Sequence, residues 1–132
     1  MIEELSDDRF CFVCGERNPE GLHVDFYLED DKAIGEFVAL KKYQGYKDII
    51  HGGIISTLLD EAMVKVALLK GILCVTAEIT IRFRSPLKVG ERIRIEASID
   101  KISKNIVFAS ASAKKGTGTL VAEAHAKLVR QV

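Results

Sequence analysis

Residues 75–84, VTAEITIRFR, alternate strictly between apolar and polar. Val75, Ala77, Ile79, Ile81 and Phe83 fall on one face, and Thr76, Glu78, Thr80, Arg82 and Arg84 on the other. A period of two marks a strand with one buried face. The same period recurs in ERIRIEASI (residues 91–99), NIVFASASA (105–113) and TLVAEAHAKLV (119–129), each preceded by turn residues. Upstream, LHVDFYLED sets Leu22, Val24, Phe26 and Leu28 against polar neighbours, and KAIGEFVAL follows the Asp30–Asp31 turn. Six strands are therefore predicted. Between the second and third, after the loop KKYQGYKDII, the period changes. HGGIISTLLDEAM opens a helix predicted from about His51 to Lys70 and closed by Gly71. Residues up to about 20 read as an irregular arm.

Six antiparallel strands and one apolar helix have few ways to bury that helix, and the simplest is a sheet curled around it. The predicted fold class is α+β, one domain over residues 1–132 with the arm at 1–20. Ala109, Ala111 and Ala113, and Ala122, Ala124 and Ala126, offer small faces that either receive the helix closely or face another subunit.

Nineteen basic and nineteen acidic residues cancel in the 132-residue chain, so no charge imbalance points to nucleic acid. The apolar run from Ile54 to Leu69 is broken by Asp60, Glu61 and Lys65, which argues against a membrane span. The opening MIEELSDDRF has no apolar signal region, and three cysteines do not make a disulfide scaffold. Both features lead us to expect a cytoplasmic protein. Cys11 and Cys14 form a single CxxC, half of a zinc signature, with His23 and Cys74 as candidate further ligands. The expectation is no metal and no cofactor: the pair anchors the arm, and Cys74 joins the core.

Chemistry concentrates in the helix. Gly52 and Gly53 leave N–H groups unshielded at its start, where the helix dipole favours developing negative charge. Asp60 lies two turns further on, on an otherwise apolar helix, placed to activate water or to attack directly. Ser56 and Thr57 share its side of the helix and offer hydroxyls. Glu61, rotated about 100° from Asp60, reads as structural or as an ion-pair partner. His51 either positions a carbonyl or caps the helix.

HGGIISTLLDEAM resembles the helix signature of hotdog-fold acyl-CoA thioesterases of the phenylacetate-pathway type. CFVCGERNPEGL, YQG and VTAEITIRFRSPL stand in the order seen in one subgroup of that family. The resemblance implies the hotdog fold, a sheet wrapped on a central helix, and hydrolysis of an acyl-CoA. Gly52 would donate its N–H to the thioester oxygen, Asp60 would be the catalytic acid, Thr76 a supporting hydroxyl, and His51 would shape the carbonyl site. Many relatives carry Asn where this chain has Gly45; Gln44 beside it offers a substitute amide. Arg82, Arg84 and Lys88 are candidates for the phosphates of coenzyme A, and Gly53 for the substrate's carbonyl end.

The resemblance also implies a homo-oligomer, a dimer or a dimer of dimers. Gly52 and Asp60 are separated by roughly 12 Å along one helix axis, too far to serve one carbonyl, so each site would join two chains. Competing readings are an acyl-CoA sensor on the same fold and a hydratase. The latter needs a second histidine beside the acid, and His125 in the last strand is expected on a solvated face.

Overall fold

The computed structural model describes residues 5–131. Six strands form one antiparallel sheet: β1 (Tyr27–Glu29), β2 (Lys32–Val38), β3 (Cys74–Phe83), β4 (Arg92–Ser103), β5 (Ile106–Lys115) and β6 (Leu120–Arg130). Their order is β1-β2-β4-β5-β6-β3. The helix α1 (Gly52–Leu68) lies in the concave face against β2 to β6. This is the curled sheet and central helix expected from the pattern.

Cross-strand register explains how the helix fits. Ala97, Ala111 and Ala124 form one row across β4, β5 and β6, and Ala109 pairs with Ala126 in the next. All are buried beneath the chain's own helix, whose Leu58, Leu59, Ala62, Met63 and Val66 are fully buried. Methyl groups on the sheet let larger helix side chains descend between them, as dense packing requires. The alanine faces thus receive the helix of the same chain. The helix ends as predicted, with Gly71 in the left-handed region at φ +82.

Two expectations fail locally. The first strand is only three residues long, because Leu22 and Val24 turn their N–H groups to the carbonyls of Phe12 and Val13 in the arm. Leu22 and Val24 are bonded to the arm and not to the sheet, and His23 between them is in the left-handed region at φ 54, which breaks the strand there. In β3 the strict alternation breaks. Thr76 pairs with Leu128 and Glu78 with Lys127, so Ala77 is a bulge. A bulge adds one residue and reverses the facing of everything before it. Cys74 and Thr76 therefore share the concave side with Ile79, Ile81 and Phe83. Val75, predicted inward, is 40% exposed, and Cys74 is buried.

Candidate active site

The start of α1 is built by its own side chain. His51 is the N-cap, and its Nδ1 accepts the N–H of Gly53 at 2.8 Å. An accepting Nδ1 means a neutral ring with its proton on Nε2, which makes Nε2 a donor. The two readings of His51 are thus compatible, since capping fixes the tautomer that a carbonyl would need. Gly53 has its N–H taken by this cap. The N–H of Gly52 has no partner among the described residues. Gly52 is also close to an aromatic ring: a Cβ there would sit 3.3 Å from Phe83 Cζ.

Lys42, Tyr43, Gln44, His51, Gly53 and Ile54 line an open cleft of about 380 Å³ beside the helix start. Three predicted residues, Gln44, His51 and Gly53, meet there. Gln44 Oε1 accepts the N–H of Asp48 at 3.0 Å and Lys41 Nζ at 3.4 Å, so the loop holds its carboxamide by the oxygen. Gly45 lies against His51, where a Cβ would be 3.4 Å from the imidazole Cδ2.

Thr76 reaches the middle of the helix because of the bulge. Its Oγ1 donates to Asp60 Oδ1 at 2.6 Å, and both residues are half-buried. A short hydrogen bond to a charged oxygen is among the stronger kinds, and it orients the carboxylate while leaving Oδ2 for water. Ser56 and Thr57 do not share in this. Their hydroxyls donate back to the carbonyls of Gly52 and Gly53, both at 2.8 Å. That i−4 bond is available to any Ser or Thr inside a helix, and it wins here over the carboxylate.

Arg82 and Arg84 are not brought to the cleft. Arg82 is paired opposite Glu123 on the convex face, and Arg84 forms an ion pair with Glu123 at 2.8 Å. Lys88 is exposed in the turn before β4, where its N–H donates to Glu91 Oε1. His125 is also on the convex face, exposed and 3.3 Å from Ser110, with the sheet between it and Asp60. Sequence reasoning missed Lys42 and Phe83. Phe83 was legible only as one step of an alternation, and Lys42 only as one charge in a loop.

Glu61 faces the other way. Cys11 Sγ donates to Glu61 Oε2 at 3.7 Å, and Cys14 Sγ lies within 4.8 Å of both ligand atoms. Burial, followed by hydrogen bonding and charge from Glu61, pushes the Cys14 thiol up to about 12. His23 and Cys74, the ligands weighed from sequence, are not in this group.

The thioesterase superfamily profile matches residues 47–122. Acyl-coenzyme A thioesterase 13 of Mus musculus is 34% identical over 96 residues, covering 70% of this chain and 69% of that protein. A crystal structure of a thioesterase superfamily protein superposes with a TM-score of 0.86 at 20% identity; the match covers 92% of this chain and 60% of that one. A Streptococcus mutans protein bound to acetyl-CoA superposes with a TM-score of 0.77 at 21% identity, covering 82% and 88%. At such identities the structural likeness speaks for the fold alone. The profile covers more than half of the chain, including the capped helix start, Asp60 and Thr76, and on that ground the chain belongs to the thioesterase superfamily.

Proposed function

We propose that the protein is an acyl-CoA thioesterase in which two chains build each site. The observation that carries this reading is the Thr76–Asp60 hydrogen bond, 2.6 Å long, on the same helix as the unpartnered Gly52 N–H. Asp60 Oδ2 accepts a proton from water, and the water oxygen attacks the thioester carbon. The carbonyl oxygen becomes an oxyanion facing the Gly52 N–H and the positive end of α1. When the tetrahedral intermediate collapses, the C–S bond breaks. The thiolate of coenzyme A then takes the proton held by Asp60, which leaves a free acid and a thiol.

Self-association supplies the missing proximity. Within one chain the two groups are about 12 Å apart along the axis, beyond the 3–3.5 Å at which reacting atoms must meet. Among the described residues the ten-residue strand β3 pairs only with β6, so its outer edge carries unpaired backbone groups. Val75 and Phe83 are exposed along it. A long edge of this kind invites pairing with another chain. Antiparallel pairing of β3 with a second β3 gives the two-fold relation that brings one chain's glycines toward the partner's Asp60. In the cleft, Lys42 takes over the phosphate-binding role that Arg82 and Arg84, on the convex face, are badly placed to fill.

The test is thiol release from a panel of acyl-CoAs differing in acyl length and aromaticity. Steady turnover supports the enzyme. Saturable binding with no thiol released would favour the sensor reading.

A further inference from the structure

The arm and the helix bring together three metal-ligating side chains that the proposed hydrolysis does not use. Cys11, Cys14 and Glu61 are each half-buried, and their ligand atoms lie within 4.8 Å of one another. The sequence separation is fifty residues, so this meeting is a product of the fold.

The turn holding the cysteines is shaped for it. Gly15 N–H donates to the Cys11 carbonyl at 2.9 Å. A Cβ at Gly15 would fall 2.3 Å from Cys11 N, so no other residue closes the turn this tightly. Val13 N–H points at Cys11 Sγ from 3.4 Å. An N–H directed at sulfur stabilises negative charge there, which is what a thiolate ligand requires.

The spacing also fits. Zinc–sulfur and zinc–oxygen bonds of about 2.3 and 2.1 Å in a tetrahedron place sulfur and oxygen about 3.6 Å apart. Cys11 Sγ and Glu61 Oε2 are 3.7 Å apart. Two thiolates and one carboxylate leave a divalent cation with one net negative charge, and the half-buried Lys65, one helical turn beyond Glu61, brings a positive charge to the same side of α1. A surface cleft of about 170 Å³, lined by Arg9, Cys14, Glu16 and His23 among others, gives access from solvent.

We propose that Cys11, Cys14 and Glu61 bind one soft divalent cation of the zinc class, with solvent at the fourth position. Binding expels the two thiol protons. The metal ties the arm to α1 at the residue after Asp60, and it acts as a staple outside the reaction.

The test uses the full reduced chain, stripped with chelator and titrated with cobalt(II) without oxygen. Wild type is expected to saturate at one cobalt per chain, with thiolate-to-cobalt absorption in the near ultraviolet that zinc abolishes. Cys14→Ser should lose that absorption, and Glu61→Gln should keep it with affinity weakened by about tenfold or more. Circular dichroism of each metal-free variant establishes that it is folded. Zinc should raise the melting temperature of wild type and not of Cys14→Ser. Should Cys14→Ser not fold, the Glu61→Gln titration still decides. Absence of thiolate absorption in folded wild type, its survival in Cys14→Ser, or unchanged affinity in Glu61→Gln each overturns the proposal.

Discussion

Asp60 and Glu61 are neighbours of the same charge type on one helix, yet they belong to different parts of the molecule. Asp60 turns toward the sheet's edge strand and receives the Thr76 hydroxyl at 2.6 Å. Glu61, about 100° further round, turns toward the N-terminal arm and meets the Cys11 sulfur at 3.7 Å. One wall offers a hydroxyl and an unpaired strand edge; the other offers two sulfurs and the Lys65 ammonium. Rotation by a single residue thus sends the first carboxylate to the proposed chemistry and the second to the anchoring of the arm. The acidic pair is two separate devices, which adjacency in the chain conceals.

The sharpest break in that comparison is Asp60→Asn, which keeps the shape and removes the base. Turnover of the best acyl-CoA is expected to fall by about 10²–10⁴-fold with the fold intact. Steady-state thiol release checks it, and a loss of only a few-fold would remove Asp60 from the mechanism. Next comes Gly52→Pro, which deletes the unpartnered N–H. Proline suits the first helical position, and His51 already holds the extended φ −60, ψ 132 that a following proline needs. A decrease of about 10²–10³-fold in kcat is expected. Gly52→Ala, which keeps the N–H and only crowds Phe83, should lose much less. If the two lose equally, the N–H is not the donor.

Thr76→Ala removes one hydrogen bond to a charged oxygen, worth on the order of 1.4 kcal/mol, so kcat should drop about tenfold. Complete loss in a folded variant would assign Thr76 more than positioning. The smallest effect belongs to the other carboxylate. Glu61→Gln should leave kcat within about threefold of wild type. A loss on the scale of Asp60→Asn would erase the distinction between the two walls.

Much of this architecture is legible in the sequence. Period-two runs announce five strands and the end of a sixth, of which only Tyr27–Glu29 joins the sheet, and the change of period at His51 announces the helix. What escaped the sequence is where tertiary contacts override periodicity. Ala77 looks like any small strand residue, but as a bulge it turns Thr76 inward and Val75 out. Leu22 and Val24 alternate like strand residues because both side chains are buried, yet their backbone partners are in the arm and His23 between them is left-handed. Arg82 and Arg84 suit an anionic ligand by charge, and only the sheet's facing sends them to Glu123. The approach of Glu61 to the CxxC spans fifty residues and leaves no local signal. In the candidate site, Asp60, Gly52 and His51 were readable because capping and helix position are local. Phe83 and Lys42 were not, since their relevance depends on which loop and strand the helix start meets.

The central claim is that Gly52 of one chain serves Asp60 of another, and co-refolding tests it most directly. Asp60→Asn and Gly52→Pro are each first shown to be folded and inactive, then unfolded together in equal amounts and refolded. Random pairing gives mixed dimers in which one site is doubly damaged and the other intact, so about a quarter of wild-type activity should return. Mass measurement of the assembled species confirms that mixed dimers are present. Activity that stays at the level of the separate variants, with mixed dimers abundant, would contradict the shared site and place both groups in one chain.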